Sequence, residues 1–401
     1  MTNRSLVVAL SLFLALITAC TNSPGLPPAP DPRPTEVSSI PPTTIPQVPA
    51  PSPETVRHIG KLSLPLTLHR PRAAHTATRL ADGRVLITGG FRSAGTAEIP
   101  IRSAEIFDPQ TMNFTPVSDM IEARAGHTAT LLPDGRVLIA GGWGEDGRLS
   151  TVELFDPPRN QFSAAASMSA PRAGMTATLL PDGRVLFAGG DLARNQPQLI
   201  AEIYDPQTNR FVPSGELNHG RFSHTATLLP DGLVLIAGGR SDNEGTVLTE
   251  AEIYDPASEK FVLAGRASRV RHKHAAILLQ DGRVLIAGGS DAHDWEGQYR
   301  SAEIYDPQTG TFTPTADLHN ARFKLRDAAL LLNDGTVLIG GGHRQLELFN
   351  PQSAEFTEVG QVADDYYFAT LTHLQDNRVL IVGGYNGDIQ PNSSAWIYDY
   401  N

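Results

Sequence analysis

The chain has 401 residues and a formal charge of −11, with 43 acidic side chains against 32 basic ones. That excess of negative charge argues against nucleic acid, or an acidic membrane face, as a partner. A single cysteine in the whole sequence excludes a disulfide framework, so any fold must be held by packing and hydrogen bonds.

The chain opens with a short basic stretch at Arg4 and an uncharged apolar run from Leu6 to Ala19. The run is shorter than the roughly 20 residues that a spanning helix needs, and this predicts a cleaved export signal. It ends in Ile17-Thr18-Ala19-Cys20, which resembles the bacterial lipobox, where a small residue precedes an acylated cysteine. The resemblance implies a signal peptide over residues 1–19, lipid on Cys20 and attachment to a membrane through that lipid alone. Residues 20–53 are rich in Pro, Ser, Thr and Ala, with too few large apolar groups to offset the entropy of ordering. A semi-extended tether is expected there.

Residues 54–401 are built on one phrase. HTATLLPDGRVLIAGG (residues 127–142) returns in close copies over residues 75–90, 175–190, 224–239, 274–289, 327–342 and 369–384. Within each copy two aliphatic runs flank Asp-Gly, as in Leu131 to Val137, and this predicts a β-hairpin with a type I′ turn. A loop of variable length follows. Then comes Ser-Ala-Glu-Ile-Tyr-Asp-Pro or a near copy, and then a strand led by Phe, such as Phe312-Thr313-Pro314. Asp-Pro is a turn signal, so each unit predicts two hairpins, and four strands make one propeller blade. The last copy stops one strand short. A segment after the tether, in the register of either Val56–Leu62 or Leu62–Leu68, is expected to complete it and so remove the exposed edge.

The Gly-Gly at the end of each second strand, the Tyr or Phe before Asp-Pro and the aromatic fourth strand resemble the kelch repeat, and the first Gly recurs about every 50 residues. The resemblance covers residues 54–401 and implies an all-β, seven-bladed kelch-type propeller. It is closest in form to bacterial kelch proteins grouped with the galactose oxidase propeller. A closed disc of this kind is expected to be a monomer that needs no cofactor. The copper radical chemistry of that group uses a Cys–Tyr cross-link, and the only cysteine is Cys20, far ahead of the repeats.

In a four-stranded up-and-down blade the loop between strands two and three shares a rim with the segment leading into strand one. That rim is expected to carry the function, since the other shows Asp-Gly and Asp-Pro throughout. Arg72, Arg124, Arg172, Arg221 and Arg271 stand three residues before the His of HTAT or its replacement, with Lys324 and Tyr366 at the matching places in the last two copies. In kelch adaptors of ubiquitin ligases, arginines at this position line a bowl for acidic peptides. The resemblance therefore implies a basic ring at the channel mouth, suited to an anionic ligand. The alternative is that they belong to the repeat's grammar and pair with backbone or with a Glu. His75, His127, His224 and His274 share one register, which predicts hydrogen bonds between blades. Glu105, Glu153, Glu202, Glu252, Glu303 and Glu347 share another, which predicts a structural pairing. Irregular loop residues are further binding candidates: Trp143, Trp295 and His293, the last flanked by Asp291 and Asp294. The sequence thus predicts a lipid-anchored module at the cell envelope that binds a protein or a glycan. An enzyme acting on an acidic sugar, as some bacterial kelch propellers are, is the other reading.

Overall fold

A computed structural model describes residues 60–63, 65–94, 97–192, 196–241 and 246–401. The expected signal peptide, Cys20, the tether and residues 54–59 lie outside the described residues.

Each copy of the repeated phrase supplies the two inner strands of a four-stranded antiparallel sheet, and seven such sheets follow one another along the chain. In blade 2, Thr128–Leu131 pairs with Val137–Ala140, which pairs with Val152–Asp156, which pairs with Gln161–Ala164. The innermost strands touch in succession, and that of blade 7, Thr370–His373, touches that of blade 1, Thr76–Arg79. The ring is therefore closed. Blade faces pack on neighbouring blades on both sides, so the second strand reads as unbroken apolar sequence. The four side chains of Val137–Ala140 are at most 1% exposed.

The inner hairpins differ from the expected two-residue type I′ turn. In blade 1, Leu80 N–H donates to Arg84 O (2.8 Å) and Gly83 N–H donates to Leu80 O (3.0 Å), which leaves a three-residue loop. Only Gly83 is left-handed, at φ 89°, while the Asp82 carboxylate accepts from Arg84 N–H at 3.1 Å. The Asp therefore acts as a side-chain cap, and Gly alone supplies the positive φ, as in a type I turn with a bulge. In blade 7 Asp376 (φ 63°) and Asn377 (φ 53°) are both left-handed.

The outer strands carry the bulk. In the first six blades an aromatic on strand three meets one on strand four, with ring centroids 4.8 to 5.0 Å apart, as in Tyr254–Phe261. Blade 7 takes its outer strand from the start of the domain. Lys61 and Leu62 pair with Asp399 and Tyr398, whereas Leu66 and Thr67 pair with Ala395 and Ser394. The register shifts by one between the halves, beside Pro65, which has no N–H to give a ladder. Of the two expected registers, Leu62–Leu68 is nearer to this arrangement.

Seven equivalent hydrogen bonds tie the blades together. The N–H of the second Gly of each doublet donates to the carbonyl that opens the next blade: Gly90 to Arg124, Gly142 to Arg172, Gly190 to Arg221, Gly239 to Arg271, Gly289 to Arg322, Gly342 to Tyr366 and Gly384 to Arg72, at 2.7 to 3.0 Å. The doublet is Gly for a steric reason. A Cβ on Gly89 (φ 58°) would stand 2.4 Å from Arg124 O and 2.9 Å from the His127 ring. Those His rings make the bonds between blades that the sequence predicts, meeting the hydroxyls of Thr370, Thr76, Thr176 and Thr225 from His75, His127, His224 and His274 at 2.9 to 3.0 Å.

Burial holds these imidazoles neutral, pulling His75 down to about 3 and the other three well below their usual range. The folded pKa lies below the unfolded value of 6.5, so the unfolded chain takes up protons first as the pH falls. Stability is therefore complete above pH 6.5 and declines below it, by about 1.4 kcal/mol per pH unit for each histidine. Blade 3 has Met175 in the same slot, so His127→Met is expected to fold and to flatten this decline by one proton, read from urea titrations at pH 7 and pH 4.

Candidate functional site

The five arginines expected at the channel mouth are not in it. Arg72, Arg124, Arg172, Arg221 and Arg271 are 0 to 1% exposed, and each guanidinium lies inside its own blade. Arg124 donates to Gly141 O (2.9 Å), to Thr151 O (3.2 Å) and to Glu153 Oε1 (2.7 Å). Glu153 also accepts from the main-chain N–H of Ile121 (2.7 Å) and Glu122 (3.1 Å). The pair thus pins the lead-in segment to strands two and three. Glu105, Glu202, Glu252 and Glu303 hold Arg72, Arg172, Arg221 and Arg271 in the same way. The arginine and glutamate registers of the sequence are two halves of one clamp, and that clamp leaves no guanidinium for a ligand.

Blades 6 and 7 depart from the pattern. In blade 6 the clamp is Arg322 with Glu347, and Leu325 fills the His slot against Gly288. Lys324 is therefore not the counterpart of the arginines, because two extra residues, Arg326 and Asp327, stand between Leu325 and the inner strand. In blade 7 Tyr366 does occupy the arginine place, but it is 5% exposed and packs on Trp396, which replaces the Glu, with centroids 4.8 Å apart. A buried ion pair has been exchanged for an aromatic pair.

The mouth itself is lined by the residue after the doublet in five blades, Phe91, Trp143, Asp191, Arg240 and Tyr385, and by the third residue of each lead-in tetrad. Isolated bridges join the residue after the doublet to the second residue of the tetrad, for example Ala125 to Trp143 and Tyr367 to Tyr385. The tetrad residues are Ala74, Gly126, Gly174, Ser223, Lys273, Lys324 and Phe368, all left-handed with φ between 51° and 64°. All seven line a central channel of about 970 Å³. The backbone there favours Gly, and a large side chain costs about 1–2 kcal/mol. Blades 1 to 4 keep it small, whereas blades 5 to 7 place two lysines and a phenylalanine.

The same side gathers aromatic and charged groups. Trp295, 39% exposed, meets Tyr367 edge-on at 4.5 Å and Phe323 at 5.0 Å. The Lys324 ammonium lies 4.2 Å from the Trp295 ring centroid, 4.7 Å from that of Phe323 and 5.0 Å from that of Tyr385, and it bonds the Tyr385 hydroxyl. Lys273 Nζ donates to both oxygens of Asp294, at 2.7 and 2.9 Å, and His272 Nε2 lies 3.1 Å from one of them. Burial alone would raise the Asp294 pKa, but the His272 hydrogen bond and the Lys273 charge outweigh it and hold the carboxylate ionised. Across the mouth, Arg148 grips the buried Asp191, and Arg326 reaches Gly126 O at 3.1 Å. Trp143 covers Gly126, where a Cβ would stand 2.3 Å from its ring. His293 is exposed at a loop tip and bonds its neighbour Asp291 at 3.0 Å.

The Kelch motif family model matches residues 123–169, 271–319 and 372–401, units that coincide with blades 2, 5 and 7. The chain is a kelch-repeat β-propeller. No curated protein matches it significantly in sequence. Among solved structures it is similar to a fungal alcohol oxidase of the AA5 family in complex with copper, at TM-score 0.69 and 16% identity, covering 85% of this chain and 76% of that one. A likeness at that identity shows the fold alone.

The residues of this kelch propeller do not fit a copper centre. Among the described residues no group of three or more His, Cys, Asp or Glu is placed to hold a metal. The inner-strand imidazoles are committed to threonines, and the Tyr385 hydroxyl to Lys324. Of the candidates read from sequence, the structure brings Lys324 and Trp295 together, puts Trp143 across the mouth and sets His293 apart. Lys273, Arg240, Phe323 and Phe368 escaped a reading aligned on HTAT. Aligned on the arginine, the tetrad's third position shows the asymmetry directly.

Removing one half of the clamp leaves a buried unpaired charge, so Arg221→Ala is expected to cost about 3–5 kcal/mol in urea unfolding. The double change Arg221→Tyr with Glu252→Trp, which copies blade 7, is expected to recover most of that loss.

Proposed function

We propose that this propeller is a binding module, held by lipid on Cys20 at the bacterial envelope, and that it receives a protein or glycan at the channel mouth on blades 5 to 7. One observation carries the reading. Of seven equivalent left-handed positions around the mouth, four are small and three carry Lys273, Lys324 and Phe368. Repeat grammar explains uniformity, and the backbone there disfavours side chains. Retained bulk at strained positions is a mark of function. The partly exposed Trp295 offers a flat apolar face for a sugar ring or a protein anchor. Beside it, the Lys273 and Asp294 pair offers both hydrogen-bond donors and acceptors to a polar rim. The five arginines take no part in it, since their guanidiniums are committed to glutamates.

The acidic-sugar enzyme remains a second reading for a specific reason: the mouth does contain a coupled titratable pair, Lys324 and Tyr385.

Immobilised protein is expected to capture its partner from envelope extracts, and Trp295→Ala is expected to weaken that binding tenfold or more while leaving the melting temperature almost unchanged. Equal capture by the variant would move the site elsewhere on the rim. Cells grown with labelled palmitate should label the wild type and not Cys20→Ala. An unlabelled wild type removes the anchor.

A further inference from the structure

The sequence holds 28 arginines and only four lysines: Lys61, Lys260, Lys273 and Lys324. Arginine serves wherever this chain needs a fixed positive charge, in the clamps and in the hairpin turns. Yet two of its four lysines stand in adjacent blades at the mouth, at equivalent backbone positions, joined through Leu325 N–H to Lys273 O at 3.1 Å. Lysine differs from arginine in one chemical respect that matters here: its nitrogen can be a neutral nucleophile near physiological pH.

The two lysines are treated differently by their surroundings. Lys273 has a carboxylate, Asp294, in bidentate contact. Lys324 makes no ion pair among the described residues. It is 7% exposed, is walled by Trp295, Phe323, Tyr367, Phe368 and Tyr385, and has the Tyr385 hydroxyl as its hydrogen-bond partner. Lys324 is nevertheless one of the residues that line the channel. An amine in an apolar wall, beside a fixed neighbouring cation and in contact with a phenol, is the arrangement that activates lysine for attack on carbonyl carbon.

We infer that Lys324 is a nucleophile that condenses with the carbonyl group of a small aldehyde or 2-oxo acid entering the channel mouth, with Tyr385 as its proton partner. The amine nitrogen forms a bond to the carbonyl carbon, and the C=O π electrons move to oxygen. Tyr385 gives its proton to that oxygen and regains one from the nitrogen. The carbinolamine then loses water, the nitrogen giving up its second proton and the carbon–oxygen bond breaking, to leave an imine on Lys324. One carbonyl compound and one amine yield one imine and one water, so no oxidant or further reactant is needed.

The groups facing the amine set its behaviour. Burial and the Lys273 charge lower its pKa to about 8, while Asp294 and Glu98 pull the other way. Tyr385 and Tyr367 are both held protonated, Tyr385 through burial and then the charges of Glu98 and Asp294, Tyr367 through burial and then that of Asp365.

The inference rests on the mouth being a site, as the binding proposal does, but the test separates them. Full-length protein is incubated with sodium cyanoborohydride and either glycolaldehyde, which is neutral, or glyoxylate, which is anionic, and the alkylated lysines are mapped by peptide mass spectrometry. Lys324 is expected to be labelled at least tenfold faster than the exposed Lys61 and Lys260. Its rate is expected to rise with pH through about 8 rather than near the ordinary lysine value of 10.5. Tyr385→Phe should slow labelling tenfold or more at an unchanged melting temperature, and Lys324→Met should abolish it. Faster labelling by glyoxylate assigns the site to 2-oxo acids, and faster labelling by glycolaldehyde assigns it to neutral aldehydes. Label spread over the lysines by exposure, or an unlabelled Lys324 in the folded wild type, overturns the inference. Successful capture from extracts with Lys324 unlabelled sinks this inference alone, and a labelled Lys324 with no captured partner sinks only the binding module.

Discussion

In six of the seven blades one residue holds this propeller together, the arginine that precedes the inner strand. Its carbonyl accepts the second Gly N–H of the preceding blade, while its guanidinium binds strands two and three of its own blade through a carbonyl, a second carbonyl and a glutamate. The same residue thus joins neighbouring blades and fixes the segment that crosses between them. Its position is fully buried, so the ion pair carries a desolvation cost that its hydrogen bonds offset. The glutamates add to them by also accepting main-chain N–H groups, as Glu252 does from Asn218 and His219, while the buried Nε of Arg72, Arg124, Arg172, Arg271 and Arg322 has no hydrogen-bond partner among the described residues. Blade 7 shows that the place, rather than the charge, is essential. There Tyr366 and Trp396 fill the same volume, and the Tyr366 carbonyl still accepts from Gly342.

Once these contacts are spent on the scaffold, little inside the repeat is free to vary. Besides the loops of variable length, the channel lining varies at two rings, the residue after the doublet and the third residue of the tetrad. The first carries a hydrogen-bonded loop on one side and the channel on the other. The second is left-handed in every blade, which makes any side chain there an exception to local preference. Blades 5 to 7 make that exception with Lys273, Lys324 and Phe368, and the loop of blade 5 brings Asp294 and Trp295 over them. The two-residue insertion in blade 6 belongs to the same departure, because Arg326 crosses the channel to Gly126 of blade 2. A rigid ring with one altered sector is a simple way to build an asymmetric site from symmetric parts.

The electrostatics of that sector follow from burial. Two lysines share one close carboxylate, so the charge that Asp294 neutralises is that of Lys273, and Lys324 is left with rings and a phenol. Aromatic faces attract a cation, yet exclusion of water and the neighbouring ammonium both favour the neutral amine.

The sequence by itself determined the blade count, the four-strand unit, the closing strand at the start of the domain, the bonds between blades made by His75, His127, His224 and His274, and the structural role of the glutamates. Those features are periodic, and a period is visible without coordinates. Tertiary structure alone decided where each arginine's charge goes, because a strand pattern does not say whether a lead-in side chain turns toward the channel or back into its blade. It also decided the frame of blade 6, where alignment on the HTAT phrase named Lys324 as an arginine equivalent although Arg322 fills that place. An insertion leaves the composition of a repeat intact and shifts only its geometry. The cluster around Lys324 draws on blades 5, 6 and 7 and brings together residues as far apart in sequence as Trp295 and Tyr385, so it exists only once those three blades have packed side by side.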